Sequence, residues 1–125
     1  TFTVTALAGL LLPLGPKDCV AAAAGFGWYS LAPTLLAPYS LTVSATAFLS
    51  NVLHELFAIV LAPIVAQRLG YIETVALPGA AAMDTVLPVV VSATDQSMAI
   101  YSFTSGVILS LSVPLFIPAI IALPF

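Results

Sequence analysis

Residues 50–60, SNVLHELFAIV, place the polar side chains Asn51, His54 and Glu55 inside an apolar run that extends over residues 41–69. This run is longer than the ~20 residues with which a helix crosses the hydrocarbon core of a bilayer. A carboxylate near the middle of a membrane helix costs about 2.5–3.5 kcal/mol on insertion scales. We therefore expect a partner group, an ion or a substrate to compensate the burial of Glu55.

The composition of the chain is that of a membrane protein. Its 125 residues are 62% hydrophobic and 6% charged, and its mean hydropathy is +1.21, whereas about 25% of the residues of soluble domains are charged. Two basic residues are too few for a nucleic-acid surface, which excludes nucleic acid as a partner. The single cysteine, Cys19, excludes an intrachain disulfide and is expected to be a packing residue.

Shorter apolar segments precede the long run. Residues 2–14 are too short to span a bilayer, and we expect them to be the end of a spanning helix in a processed, trimmed or split piece of a larger protein. A loop is predicted over residues 15–18, which contain a proline and two adjacent charges. Residues 19–36 are rich in small residues and interrupted by glycine and proline, which predicts a short or broken helix.

The long run predicts a helix over residues 41–69 with two different faces. Small and polar side chains recur at steps of three and four residues, and this face is predicted to turn Asn51 and Glu55 into a helix bundle. The face consists of Ser44, Ala47, Asn51, Glu55, Ala58 and Ala62. Larger apolar side chains cover much of the remainder and suit contact with lipid, namely Leu49, Val52, Leu53, Leu56, Val60 and Ile64.

The second half of the chain repeats this arrangement. A connector over residues 71–75 leads to a second interrupted apolar segment, residues 76–88, with Asp84 as its polar centre. A second long helix is predicted from about Gln96 to the C-terminus, with kinks at two prolines. Paired interrupted segments are the best sequence pointer to a transporter's binding site near the bilayer midplane.

The predicted fold class is therefore all-α. We expect residues 1–125 to form a single membrane domain, a polytopic bundle with broken or re-entrant helices in repeated units. Whether residues 76–91 span the bilayer or re-enter is left open. If residues 19–36 and 41–69 both cross fully, Lys17 and Arg68 lie on the same side, which the positive-inside rule makes cytoplasmic.

Two of the five acidic residues stand within apolar segments, Glu55 and Asp84. Carboxylates of this kind, with no cation near them in sequence, suit the binding of a cationic substrate or of protons, because burial disfavours the charged form. Other readings stay open. In one, Glu55 is a protonated carboxyl bonded to Asn51 or to another helix; in the other, Asp84 caps a half-helix. Solvated roles are expected for the remaining acids, Asp18, Glu73 and Asp95.

Other chemistry finds little support in the sequence. One histidine, His54, and two carboxylates do not match a metal site, and the chain has no nucleophile elbow or phosphate loop, so we predict no enzyme, cofactor or metal. His54 is either a proton relay or a packing residue, since its side chain and that of Glu55 point about 100° apart on a helix. Trp28 and Tyr29 are expected to line a substrate path or to anchor the interface.

Four runs resemble the C-terminal part of the LysO-type lysine exporters. They are AGFGWYSLA (residues 24–32), AFLSNVLHELFAIVLAPIVAQR (residues 47–68), PGAAAMDTVLPVV (residues 78–90) and SGVILSLSVP (residues 105–114). The resemblance implies export of L-lysine and related dibasic amino acids across the inner membrane of a prokaryote, by a multi-pass protein that exchanges them for protons. It also implies that the acidic residues important for transport fall on Glu55 and Asp84. We expect these two and Asn51, on the same polar face as Glu55, to bind substrate or protons.

The chain departs from the family pattern in three respects. His54 stands where the family often has arginine, and Ser105 stands where it has histidine, so these two positions are candidates for a path or relay. Family members are also more than twice as long. The expected partners are therefore the N-terminal half of the transporter as a separate chain, or further copies of this chain. The alternative function is a structural or regulatory subunit of a split transporter whose site lies in the partner chain.

Overall fold

In the computed structural model, which describes residues 11 and 13–124, every regular element is helical. The prediction of an all-α chain is therefore confirmed for the described residues. The segment predicted over residues 2–14 lies mostly outside them. The α-helices are α1 (Pro16–Ala23), α2 (Leu31–Leu36), α3 (Leu41–Arg68), α4 (Tyr71–Ala76), α5 (Leu87–Ala93) and α6 (Met98–Ala122), and a 3-10 helix covers Gly79–Met83.

Two of these helices, α3 and α6, are long and apolar enough to cross a membrane. Their 28 and 25 residues correspond to about 42 and 37 Å at a rise of 1.5 Å per residue, against a hydrocarbon core of ~30 Å. Only 17% of the apolar window of α3 and 28% of that of α6 is buried. Since the core helix of a soluble protein is mostly buried, this exposure favours contact with lipid or with further membrane helices.

The two predicted faces of α3 are confirmed. Asn51 and the alanines of the small face are buried, while Ser44 and Glu55 are half-buried. On the opposite face most of the large apolar side chains are exposed: Leu49, Leu53, Leu56, Val60 and Ile64. The sequence period of 3.6 residues therefore reports correctly which side of α3 meets the rest of the chain.

The short elements lie between the two long helices. Each of α1, α2, α4 and α5 packs against both α3 and α6, and the 3-10 helix packs mainly against α6. The buried residues at the centre are largely alanine and valine, with Leu36 and Ile117 as the largest side chains. Small residues let helix backbones approach closely, which is how helices associate where lipid removes the hydrophobic driving force.

The predicted broken helix over residues 19–36 is observed as α1 and α2, separated by residues 24–30, here called the first break. The loop predicted over residues 15–18 is wrong, because α1 begins at Pro16. Proline suits the first helical position, where no backbone donor is needed, and Asp18 in the first turn interacts favourably with the helix dipole. The Asp18 carboxylate also accepts a hydrogen bond from Tyr39 Oη at 2.8 Å, and this bond raises the pKa of Tyr39.

The second interrupted segment is also observed. The connector predicted over residues 71–75 is wrong, since this stretch forms α4, which starts directly after Gly70. Residues 77–86, here called the second break, contain the 3-10 helix and lead into α5. The last long helix begins two residues after its predicted start and is continuous through both prolines. The order of two short helices followed by a long helix thus occurs twice along the chain, while the internal repeat and the re-entrant passage remain predictions.

Candidate functional site

The two breaks cross and touch through their backbones. The amide of Ala80 donates a hydrogen bond to the carbonyl oxygen of Phe26 at 2.8 Å. Gly27 has a φ of +90°, and a Cβ placed on it would lie 3.1 Å from Pro78 O. Gly79 has a φ of +66°, and a Cβ there would overlap Phe26 O. Both positions need glycine, because L residues rarely adopt these φ values and their Cβ atoms would hold the two breaks apart.

Asn51 of α3 anchors the first break. Its Oδ1 accepts a hydrogen bond from the amide of Gly27 at 2.8 Å. Its Nδ2 donates to Ala47 O at 2.7 Å and to Ala22 O at 3.4 Å. These bonds use the amide oxygen and both amide hydrogens. Through them Asn51 provides the acceptor for the Gly27 amide of the break and ties it to α1 and α3.

Replacing Asn51 by alanine is therefore expected to destabilise the protein by about 1–3 kcal/mol, because the buried Gly27 amide loses its acceptor. Thermal unfolding of the purified protein in detergent measures this effect. Ser50→Ala is the matched control, since the neighbouring hydroxyl bonds only to Ala47 O of its own helix, and a change of at most about 0.5 kcal/mol is expected for it. Equal stability of the two variants would contradict the anchoring role.

The second break is held by a row of small residues on α6. Ser102 Oγ donates a hydrogen bond to Ala82 O at 2.6 Å. At Gly106, an added Cβ would lie 2.6 Å from Met83 Cβ, so this glycine permits the close approach of the 3-10 helix. Ser110 Oγ contacts Met83 Sδ at 3.5 Å. The 3-10 helix of the second break is thus fastened to α6, as the first break is to α3.

A pocket opens where the breaks cross. The space within it, counted together with its open mouth, is about 350 Å³. The lining comes from both breaks and from both long helices, and consists of Gly27, Trp28, Tyr29, Ser30, Glu55, Ala80, Ala81, Met83, Asp84, Thr85 and Ser110.

The pocket brings together the two acidic residues that the sequence singles out, Glu55 and Asp84. Glu55 extends from the small face of α3 and is half-buried, whereas Asp84 is exposed. Asp84 Oδ1 accepts a hydrogen bond from the amide of Thr85 at 2.6 Å. Asp84 does not cap α5, whose N-cap residue is Val86. None of the described residues that line the pocket is Lys, Arg or His, so the lining provides two carboxylates and no cation.

The other predicted residues are divided between the pocket and its surroundings. Trp28 and Tyr29 line the pocket, and the Tyr29 ring packs edge-on against Phe48 with centroids 6.3 Å apart. Asn51 and His54 stand beside the pocket and bond to the backbone of the breaks. Ser105 lies elsewhere, in a shallow groove on the outer side of α6 with Ile100, Tyr101, Thr104, Ile108 and Leu109.

Three hydroxyl groups in the pocket were not predicted as site residues: Ser30, Thr85 and Ser110. Thr85 follows Asp84 directly and Ser30 follows Tyr29, so adjacency to predicted residues was the available signal for both. Ser110 is more than nine-tenths buried, and no local pattern separates it from the other serines of α6. Among the described residues, no three His, Cys, Asp or Glu side chains are grouped to hold a metal ion.

Comparison with known proteins gives a specific match. The family described as "Lysine exporter LysO" matches residues 1–121. The chain is 36% identical over 108 residues to the lysine exporter LysO of Escherichia coli (strain K12), an alignment that covers 86% of the chain. The chain spans only 36% of the length of that relative. No solved structure gives a significant match.

Proposed function

The chain belongs to the lysine exporter LysO family, and from this premise we propose that it is part of a membrane transporter that exports L-lysine and related dibasic amino acids from the cytoplasm. The pocket at the crossing of the two breaks is the proposed substrate site. Glu55 and Asp84 are its binding and coupling groups, and Trp28 and Tyr29 form part of its wall.

One observation carries this proposal: Glu55 and Asp84, from different elements, line one pocket whose described lining has no cationic side chain. At neutral pH a dibasic amino acid carries two ammonium groups and one carboxylate. Charge-assisted hydrogen bonds between ammonium and carboxylate are among the strongest polar contacts in proteins. The aromatic side chains of Trp28 and Tyr29 add a surface that attracts cations.

The proposed mechanism is exchange of the substrate for protons. A carboxylate that binds an ammonium group on the cytoplasmic side releases it when a proton from the other side takes its place. Binding at a crossing of two broken helices suits such alternation, because rigid halves of a transporter rock around a site at the breaks. A pH gradient, acid outside, is then expected to drive efflux of labelled lysine from vesicles that contain the intact transporter.

Selectivity for the side-chain ammonium group tests the proposed substrate class. Vesicles containing the intact transporter are loaded with labelled L-lysine, and unlabelled L-ornithine or L-norleucine is added as competitor on the same side. Norleucine has the length of lysine but lacks its ε-ammonium group, and a hydrogen bond to a charged group contributes about 1.5–3 kcal/mol. We expect ornithine to compete at least about tenfold better than norleucine. Equal competition by the two would contradict a site for dibasic amino acids.

The chain spans about a third of the length of its curated relative, so the proposed transporter includes further polypeptide. We propose that residues 1–125 form one membrane domain of a multi-pass protein of the prokaryotic inner membrane. The N-terminal half of the transporter, as a separate chain, or a further copy of this chain completes it. The competing function is a structural or regulatory subunit, which predicts transport that is independent of Glu55.

A further inference from the structure

His54 lies on the same turn of α3 as Asn51 and Glu55, at the place where the two breaks meet. Its ring nitrogen Nε2 is 2.9 Å from the carbonyl oxygen of Leu77, in the second break. A carbonyl oxygen only accepts hydrogen bonds, so Nε2 is the donor and carries the proton. This bond joins α3 directly to the segment that carries Asp84.

The His54 side chain is exposed, and its ring lies near both glycines of the crossing. A Cβ added to Gly27 would lie 3.7 Å from His54 Nδ1, and a Cβ added to Gly79 would lie 3.6 Å from His54 Cε1. The imidazole edge is therefore close to the point where the backbones of the two breaks approach each other. Its second nitrogen is directed toward Gly27, and His54 is not among the residues that line the pocket.

One turn of α3 thus has three separate contacts with the crossing. Asn51 holds the first break through Gly27, His54 holds the second break through Leu77, and Glu55 enters the pocket between them. Residues three and four apart lie on adjacent parts of a helix surface, so this spacing lets one turn reach both breaks and the pocket together.

We propose that His54 is a positioning residue, which holds the second break against α3 so that Asp84 faces the same pocket as Glu55. It acts as a hydrogen-bond donor to Leu77 O. The part of this assignment that is tested by lysine efflux rests on the proposed function. It deepens that function by placing the proton exchange on the two carboxylates and not on the histidine.

The test compares His54→Gln, His54→Glu and His54→Leu in the intact transporter. The glutamine amide nitrogen reaches about as far as Nε2 and donates, but it does not titrate. Glutamate has the same shape with acceptors in place of the donor, and leucine provides neither. For His54→Gln we expect lysine efflux within about threefold of wild type and an unchanged pH profile. For the other two variants we expect at least about tenfold less efflux, together with lower thermal stability.

Two results would overturn the proposal. If His54→Gln is as inactive as His54→Leu, or shifts the pH profile, the histidine acts by titrating. If His54→Leu or His54→Glu transports like wild type, the bond to Leu77 has no positioning role. Thermal unfolding separates this proposal from the proposed function. If the wild-type transporter does not move lysine, lysine export is refuted. If His54→Gln is then still as stable as wild type while His54→Glu is less stable, the hydrogen bond from residue 54 to Leu77 O is still supported.

Discussion

Replacing Glu55 by glutamine is expected to reduce lysine efflux by the intact transporter at least about 100-fold. Glutamine preserves the shape of the side chain, so the half-buried position on the small face of α3 stays filled. What is lost is the negative charge that pairs with an ammonium group, and removal of one partner of a close charged pair typically costs 2–5 kcal/mol. Asp84→Asn is expected to have an effect of similar size, because it lines the same pocket.

The matched controls are Glu73→Gln and Asp95→Asn. Both remove one carboxylate charge, and both residues are exposed and absent from the pocket lining. Efflux of labelled lysine from vesicles, divided by the amount of folded transporter, is expected to stay within about twofold of wild type for these two. Wild-type efflux from Glu55→Gln would refute the proposed site and favour a structural or regulatory subunit.

The double variant Glu55→Gln/Asp84→Asn tests whether the two carboxylates act on one substrate. Groups that share a binding partner are not additive, whereas independent sites add within about 0.3–0.5 kcal/mol. We therefore expect the double variant to lose much less than the product of the two single effects. A fully multiplicative loss would place the carboxylates in separate steps.

Replacing Gly79 by alanine is expected to destabilise the protein by about 3 kcal/mol or more. The added Cβ would overlap the carbonyl oxygen of Phe26, and the φ of +66° is unfavourable for alanine, which by itself costs of order 1 kcal/mol. The contact joins the Cβ, whose position the backbone fixes, to backbone atoms of Phe26, so no side-chain rotation relieves it. The hydrogen bond from Ala80 to Phe26 is expected to break as the two breaks move apart.

Thermal unfolding in detergent measures the stability of Gly79→Ala, and efflux reports whether the pocket survives. Gly15→Ala is the control, since Gly15 has a φ of −64° and a Cβ there would lie 3.8 Å from its closest contact, Asp18 Oδ2. A cost of at most about 1 kcal/mol is expected for this N-cap position. A Gly79→Ala protein as stable as Gly15→Ala would show that the breaks do not meet as closely as described.

The sequence by itself determined the features that depend on composition and helical period. The lipid-compatible character follows from the scarcity of charge. The two faces of α3 follow from recurrence every three to four residues, and both are present in the structure. Glu55 and Asp84 could be selected because both stand in apolar segments, and the free energy of placing a charge in a membrane helix depends on the apolar residues around it. The interruptions at residues 24–30 and 77–86 were predictable from glycine, proline and runs of small residues, because these residues weaken the helical backbone locally.

Only the tertiary structure decided how these features combine. The bonds from Asn51 to Gly27 and from His54 to Leu77 join residues more than twenty positions apart, and no sequence period records such pairs. Asn51 was predicted as a binding group, yet its amide bonds to backbone. Ser105 was predicted near the path, yet it faces a groove on the outer side of α6. Asn51 and His54 bond to backbone groups of the two breaks, where the helices are interrupted. Which groups lie within reach depends on how the two breaks cross.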